Sequence, residues 1–236
     1  MSAAPVPPPL FRGVGVALIT LFDEDGDLDA PATAEHAGRL VELGVRAVVV
    51  AGSTGEAAAL SPEERVALLL AVRAMVHPAS EVPVIAGTGA PSGRQAAALT
   101  AAACDHGADA VIVLSPPGAP DPRPYYDEVA KVAGGTPVLA YHWPALSPPG
   151  IPLSALADLP VDGCKDSSGD ASRLLDTLSA YPGPLYVGSS ALLALAGPMG
   201  CAGAILSLAN AEPEGCIAAF GGDAQAQRAL AGAHRE

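Results

Sequence analysis

Basic residues are scarce in this chain of 236 residues, and their scarcity excludes two classes of partner. Only 12 Lys and Arg residues stand against 25 Asp and Glu residues, which gives a formal net charge of -13. Nucleic acid and anionic membrane surfaces are bound through basic patches, and this sequence has none. We therefore expect neither nucleic acid nor a membrane among the partners of the protein.

Long hydrophobic runs and paired cysteines are also missing. No apolar run reaches the ~18 residues of a membrane span, and residues 1–9 contain no basic residue, which is not typical of a signal peptide. The cysteines Cys104, Cys164, Cys201 and Cys216 form no Cys-x-x-Cys pair, so the sequence indicates neither a zinc site nor a disulfide framework. We expect a cytoplasmic protein with no metal and no cofactor.

The chain does contain a regular alternation of short apolar runs and longer helical stretches, which is typical of βα units around a parallel sheet. Eight runs have the length of a strand, at residues 14–20, 47–50, 82–86, 110–114, 137–140, 161–164, 185–187 and 204–206. Eight units favour a closed barrel over an open doubly wound sheet, whose usual strand number is smaller. We predict an α/β fold in a single domain, with a flexible proline-rich lead-in over residues 1–12 and a (β/α)8 TIM barrel over residues 13–236.

Some of the helices and loops can be placed as well. We predict helices over residues 30–43, 62–77 and 92–106. Ser61 is the predicted N-cap of the second helix, because Pro62 and two acidic residues follow it. Residues 115–124 and 142–152 are too rich in proline for regular structure, and both follow strands, so we expect both on the catalytic face. Residues 207–236 leave room for one closing helix.

The carboxyl ends of all strands meet at one mouth of such a barrel, so polar groups that follow the strands should lie together there. Strand 6 ends beside Lys165, one of only two lysines in the chain. A desolvated lysine amine can lose its proton near neutral pH and attack a carbonyl, which arginine cannot do. Tyr141, after strand 5, could donate and accept a proton beside it. Ser53 and Thr54 follow strand 2 between glycines and could offer hydroxyl and N–H groups to a carboxylate.

Each of these residues also has an ordinary structural interpretation. Lys165 could be a surface lysine and Tyr141 a half-buried tyrosine at a strand end. The Gly-Ser-Thr-Gly sequence at residues 52–55 could be a tight βα turn. The acidic cluster at residues 23–27 could bind a cation, but it is more typical of a solvated loop that turns at Gly26.

Four motifs, taken in order, resemble a known family. They are Gly-Ser-Thr-Gly-Glu at residues 52–56, Tyr-His-Trp-Pro at 141–144, Gly-Cys-Lys-Asp-Ser-Ser-Gly-Asp at 163–170, and Gly-Cys-Ala-Gly-Ala-Ile at 200–205, the last followed by Ala209-Asn210 and Pro213. From about Gly13 to Pro213 the sequence is similar to the dihydrodipicolinate synthase and N-acetylneuraminate lyase family.

The resemblance implies a class I, Schiff-base lyase or aldolase that acts on pyruvate or a related 2-oxo acid and makes or breaks the adjacent carbon–carbon bond. It implies that Lys165 forms the imine and that Tyr141 moves the proton. Ser53 and Thr54 would hold the carboxylate of the 2-oxo acid, and Thr54 would also belong to a proton relay. Gly188 and Ile205 would line the same pocket.

The sequence departs from the family pattern in three places. After strand 4 it has Ser115-Pro116-Pro117-Gly118 where the family usually has a tyrosine pair. Residues 145–149 contain no arginine to bind a second carboxylate, and the family's helical extension after the barrel is not expected. We therefore predict that the protein is not a true dihydrodipicolinate synthase.

Several functions stay open within this resemblance. The partners would be a pyruvate-like 2-oxo acid and an aldehyde, and the protein could form a homo-oligomer. A dehydratase or deaminating lyase of the same family would use the same imine without cleaving a carbon–carbon bond. A barrel that lost catalysis could instead bind a 2-oxo acid or serve as an interaction module.

Overall fold

The computed structural model describes residues 7–77 and 80–233, and in it eight parallel strands close into a barrel. Each strand pairs with its neighbours in sequence, and the last strand pairs with the first. The strands are β1 (Gly13–Ala17), β2 (Val48–Val50), β3 (Val84–Gly87), β4 (Ala110–Leu114), β5 (Val138–His142), β6 (Gly163–Asp166), β7 (Leu185–Val187) and β8 (Gly203–Leu206). The predicted (β/α)8 barrel is confirmed.

Helices alternate with these strands along the chain. They are α1 (Ala30–Glu42), α2 (Pro62–Val76), α3 (Gly93–Asp105), α4 (Arg123–Ala133), α5 (Leu153–Leu156), α6 (Ala171–Ala180), α7 (Leu193–Ala196), α8 (Pro213–Phe220) and α9 (Ala224–Ala233). Short 3-10 turns cover Ala57–Ala59, Ser190–Leu192 and Leu208–Asn210. No helix of the described ranges is both long and apolar enough to cross a membrane.

The strands are buried on both faces, which explains why they are continuous apolar runs. In β2, Val49 points into the barrel interior, whereas Val48 and Val50 point outward to the surrounding helices. The inner core also includes Ile85, Ile112, Leu139, Tyr186 and Ile205. The barrel is therefore a packed core whose carboxyl end is free to carry a site.

Capping residues set the helix starts that the sequence predicted. Ser61 accepts a hydrogen bond from the Glu64 N–H, and the Glu64 carboxylate accepts one from the Ser61 N–H, which forms a capping box before α2. Ser92 accepts from the Gln95 N–H at the start of α3. Both predicted helix starts are confirmed.

Phe11 closes the amino end of the barrel. Its ring stacks on Tyr186 with 4.7 Å between ring centroids, and both side chains belong to the inner core. Gly15 and Gly203 leave room for the ring, since a β-carbon at either position would lie within 3.1 Å of it. Residues 1–6 of the predicted flexible lead-in lie outside the described residues, and the domain boundary stays a prediction.

Two expectations about loops and helices were wrong in part. The proline-rich loop ends before α4, because Pro124 occupies the first turn of that helix, where its missing N–H is not needed. Two helices, not one, follow β8 within the described residues. They are separated where Gly222 adopts a φ of 99° and Asp223 accepts hydrogen bonds from the Gln225 and Ala226 N–H groups.

Candidate active site

Lys165 lies inside the barrel at the carboxyl end of β6. It is directly opposite Tyr141 of β5 in the strand register, and its Nζ lies 4.3 Å from the centroid of the Tyr141 ring. The side chain is buried, and this desolvation lowers the pKa of the amine from its ordinary value of 10.5 to about 7. A substantial fraction of the amine is therefore unprotonated at neutral pH and able to act as a nucleophile.

Tyr141 is the second buried polar group at this end of the barrel. Burial raises the pKa of its phenol to about 12, and the hydroxyls of Ser167 and Ser53 interact with the phenol and partly oppose that rise. Trp143 stacks against the Tyr141 ring with 6.0 Å between centroids. The phenol is thus held in a fixed orientation beside the lysine.

The Gly-Ser-Thr-Gly turn leaves β2 through an unusual backbone. Ala51 and Glu56, neither of them glycine, adopt φ values of 49° and 51°. Such left-handed backbone persists only where the surroundings fix it. The guanidinium of Arg65 contributes to that, since it donates hydrogen bonds to the carbonyls of Ala57 and Leu60 just after the turn. Ser53 and Thr54 are therefore presented on a loop that leaves β2 and is anchored after the turn by Arg65.

A cavity of about 730 Å³ opens at this end of the barrel. Glycine, alanine, proline and aliphatic residues form most of its wall. Its polar lining is Ser53, Thr54, Glu56, Arg65, Gln95, Ser115, Tyr141, Ser147 and Lys165. Within the described ranges, no three His, Cys, Asp or Glu side chains cluster as the ligands of a metal would. This wall offers an amine, a phenol and several hydroxyls, together with one carboxylate, one guanidinium and one amide.

The remaining two candidate residues, Gly188 and Ile205, are not among the residues that line this cavity. A β-carbon at Gly188 would lie 1.8 Å from the Ser167 Oγ and 2.9 Å from the Lys165 Cε, so only glycine leaves room for these side chains. Ile205 is fully buried in the inner core that also contains Tyr141. The structure brings Lys165, Tyr141 and the serine-threonine turn to one cavity, while the roles of all six candidates stay predictions.

Ser167 was not among the sequence candidates. A signal for it existed, because residues two apart in a strand share a face, and Ser167 follows Lys165 by two positions. Ser53 of the glycine-rich turn also interacts with Tyr141, and the relay role of Thr54 stays a prediction.

A buried polar network behind β5 and β6 was also missed. Asp166 accepts a hydrogen bond from Arg173 in an ion pair with 2.8 Å between Nε and Oδ2. Arg173 also donates to the Ile151 carbonyl at 2.8 Å, and the Ile151 N–H donates to the Nδ1 of His142 at 2.8 Å. The contacts join β5, β6, α6 and the loop after β5, so they depend on how these elements pack, which no local sequence pattern reveals.

His142 is held as a neutral imidazole in this network. Burial lowers the pKa of His142 to about 4. The nearby Arg173 guanidinium also lowers this pKa, whereas the Asp166 carboxylate raises it. Because Nδ1 accepts a hydrogen bond, the ring proton lies on Nε2. The network ties the strand that carries Lys165 to the loop after Tyr141, which fixes both groups relative to each other.

Comparison with known proteins gives the same fold and one family. A family model described as the dihydrodipicolinate synthetase family matches residues 10–233. An uncharacterised DapA-like lyase from Halobacterium salinarum is 37% identical over 211 residues, which cover 86% of this chain and 69% of that protein. A probable mitochondrial 4-hydroxy-2-oxoglutarate aldolase from Emericella nidulans is 36% identical over 233 residues, with 89% of this chain and 72% of that protein covered.

A solved structure agrees with the same assignment. Chloride-inhibited dihydrodipicolinate synthase from Acinetobacter baumannii, complexed with pyruvate, superposes with a TM-score of 0.86 at 28% identity, covering 96% of this chain and 83% of that one. The resemblance that the four motifs carry thus extends over nearly the whole barrel. The chain belongs to the dihydrodipicolinate synthetase family and is a lyase or aldolase of that family.

Proposed function

We propose that the protein forms a Schiff base between Lys165 and pyruvate or a related 2-oxo acid, and that it makes or breaks the carbon–carbon bond next to the imine. The observation that carries this proposal is a buried amine, with its pKa lowered to about 7, that lies against the Tyr141 ring in an open cavity. The pyruvate complex of the Acinetobacter relative and the name of the Emericella relative support it.

Imine formation requires a nucleophile and a proton donor. The neutral Lys165 amine attacks C2 of the 2-oxo acid, and the resulting carbinolamine loses its C2 hydroxyl as water with the proton of the Tyr141 phenol. The phenoxide then takes a proton from C3, and the electron pair of that C–H bond forms C2=C3 while the C=N pair moves to nitrogen. The resulting enamine attacks an aldehyde carbon while the Tyr141 phenol protonates the aldehyde oxygen, and water then hydrolyses the imine and frees Lys165. The reverse path releases the aldehyde.

The carboxylate of the 2-oxo acid needs hydrogen-bond donors beside the imine. Ser53 and Thr54 line the cavity together with Lys165 and lie on the turn with left-handed backbone. Their hydroxyls, and the N–H groups of a glycine-flanked turn, are donors of the type that binds anions. We assign the carboxylate to this turn, while Gly188 leaves room for the Lys165 side chain and Ile205 packs in the inner core that also contains Tyr141.

In this proposal, the second substrate is not the one that a dihydrodipicolinate synthase uses. Of the described residues that line the cavity, Arg65 is the one arginine, and two carbonyl groups already engage its Nε and Nη2, so that only Nη1 has no partner. A second carboxylate would therefore lack the bidentate cation that usually recognises it. We infer that an aldehyde without that carboxylate enters the carbon–carbon step.

Reductive trapping tests the nucleophile directly. The protein is incubated with a panel of 2-oxo acids and borohydride, and the adduct is located by peptide mass spectrometry. We expect a reduced adduct on Lys165 and none on Lys131, which serves as the internal control. Unmodified Lys165 with every 2-oxo acid would contradict the proposal.

Product analysis separates the carbon–carbon reaction from the alternatives. A 2-keto-3-deoxy sugar acid and a hydroxyproline-like substrate are offered in parallel. Release of pyruvate and an aldehyde from the first supports aldol chemistry. Loss of water or ammonia from either, with no aldehyde released, assigns the protein to the dehydratases or deaminating lyases. Thermal stabilisation by pyruvate that survives Lys165→Ala, without turnover, indicates a binding protein.

A further inference from the structure

Ser167 occupies a position that the proposed reaction does not yet use. Its N–H donates to the carbonyl of His142 at 2.9 Å, which continues the β5–β6 ladder one residue past the end of β6. Side chains alternate along that ladder, so Ser167 lies on the same side as Lys165. A β-carbon built on Gly188 would contact both the Ser167 Oγ and the Lys165 Cε. The serine hydroxyl and the lysine side chain therefore share the small space that the bare glycine leaves.

The same hydroxyl interacts with the Tyr141 phenol from the side of β6, while Ser53 approaches from the turn after β2. Hydroxyl groups from two different parts of the barrel thus interact with one phenol. The hydrogen-bonding groups of a neutral phenol are satisfied by one partner that donates to its oxygen and one that accepts from its O–H. A phenoxide has three acceptor sites and no proton, so two donors suit the ionised form better.

The proposed reaction produces that ionised form. When the carbinolamine C–O bond breaks, the Tyr141 proton leaves with the hydroxyl as water, and Tyr141 stays a phenoxide until it takes the C3 proton of the imine. Burial disfavours this anion. Its lifetime in a largely apolar cavity depends on the hydrogen bonds that it receives.

We propose that Ser167 is a positioning residue that donates its hydroxyl hydrogen bond to the Tyr141 phenoxide between imine formation and C3 deprotonation. This inference rests on the proposed function. The serine gives up no proton: its O–H bond stays intact, and the phenol oxygen alone exchanges a proton with the substrate. By stabilising the phenoxide, Ser167 lowers the barrier to proton loss from Tyr141, and with it the overall barrier from the neutral phenol to C3 deprotonation, without touching the 2-oxo acid.

Ser167→Ala tests the role, with Ser168→Ala as the matched control. The Ser168 hydroxyl accepts a hydrogen bond from the Asp170 N–H at 3.2 Å, at the start of α6. The readouts are the exchange of pyruvate C3 protons in deuterated water, followed by NMR, and the final amount of borohydride adduct on Lys165. Losing a hydrogen bond to a charged group corresponds to a rate about 10- to 100-fold lower.

We expect Ser167→Ala to slow the exchange by that factor, with an unchanged KM for pyruvate and an unchanged final amount of adduct. Ser168→Ala should exchange at the wild-type rate. Ser167→Thr, which keeps the hydroxyl, should recover more activity than the alanine variant.

Two results would overturn the role of Ser167. One is wild-type exchange in Ser167→Ala, and the other is a raised KM at constant kcat, which would place the hydroxyl on the substrate. A wild-type protein that gives no adduct on Lys165 is a different outcome, because it removes the proposed function itself.

Discussion

Replacing Lys165 by methionine should make the folded protein more stable at mildly acidic pH. The pKa of this amine is lowered from 10.5 to about 7 by burial, and each pKa unit corresponds to about 1.36 kcal/mol. Burying the ammonium form therefore costs about 5 kcal/mol as an upper limit. Methionine has a similar length and no charge, so it removes that cost while it fills the same space.

The pH dependence follows from the protons bound in each state. Below pH 7 the amine is protonated in both the folded and the unfolded protein, so the wild type bears the full cost of burial. Between about 7 and 10.5 the unfolded state binds a proton that the folded state has released, so wild-type stability rises with pH. The advantage of Lys165→Met over the wild type should therefore shrink across this window.

Urea unfolding at pH values on either side of neutrality measures the difference. Lys131→Met is the matched control, since Lys131 is the other lysine of the chain and lies exposed on α4. The control should change the free energy of unfolding little, by about 0.5 kcal/mol or less. A Lys165→Met variant that is no more stable than the wild type below pH 7, or whose advantage is independent of pH, would refute the reasoning.

Three further changes have expected outcomes. Gly188→Ala places a methyl group 1.8 Å from the Ser167 Oγ. It should abolish adduct formation and destabilise the protein by about 1–3 kcal/mol. Gly232→Ala is the control, because nothing lies within 4 Å of a β-carbon at that position, and it should have neither effect. Tyr141→Phe keeps the ring beside the lysine and should slow C3 proton exchange by about 100-fold or more, measured by NMR; exchange at the wild-type rate would remove the phenol from the mechanism. Arg173→Leu leaves Asp166 buried without its ion-pair partner. It should lower the free energy of unfolding, measured in urea, by about 3–5 kcal/mol. Unchanged stability would show that the fold does not depend on this ion pair.

The fold could be predicted because its signal is local and repeated. Short apolar runs separated by helical stretches gave all eight strands in order, and capping residues such as Ser61 fixed helix starts. The ends of β5 and β6 were predicted two residues too early. Each apolar run stops at a polar residue, Tyr141 or Lys165, and a pattern of hydrophobicity cannot show that a polar side chain still belongs to a strand whose end faces a cavity.

The site could be predicted only where its residues lie in compact motifs. Lys165 and Tyr141 were found from their positions after apolar runs and from the family resemblance. The interaction of Ser53 and Ser167 with one phenol depends on how β2 and β6 face each other across the barrel. The pairing of Asp166 with Arg173 likewise depends on the angle at which α6 returns to the barrel. Sequence patterns contain neither distance nor orientation between distant elements.

The ring of Phe11 has a consequence for the amine at the other end of the barrel. Phe11, Tyr186 and Tyr141 belong to one continuous inner core, so a column of buried side chains runs from the segment before β1 to the residue beside Lys165. Water that entered this column from the amino end of the barrel would make the surroundings of Lys165 more polar. The desolvation that lowers the pKa of the lysine would then be weaker. A segment that precedes the first strand, and that holds none of the reactive groups, thus insulates the nucleophile from the solvent beneath it.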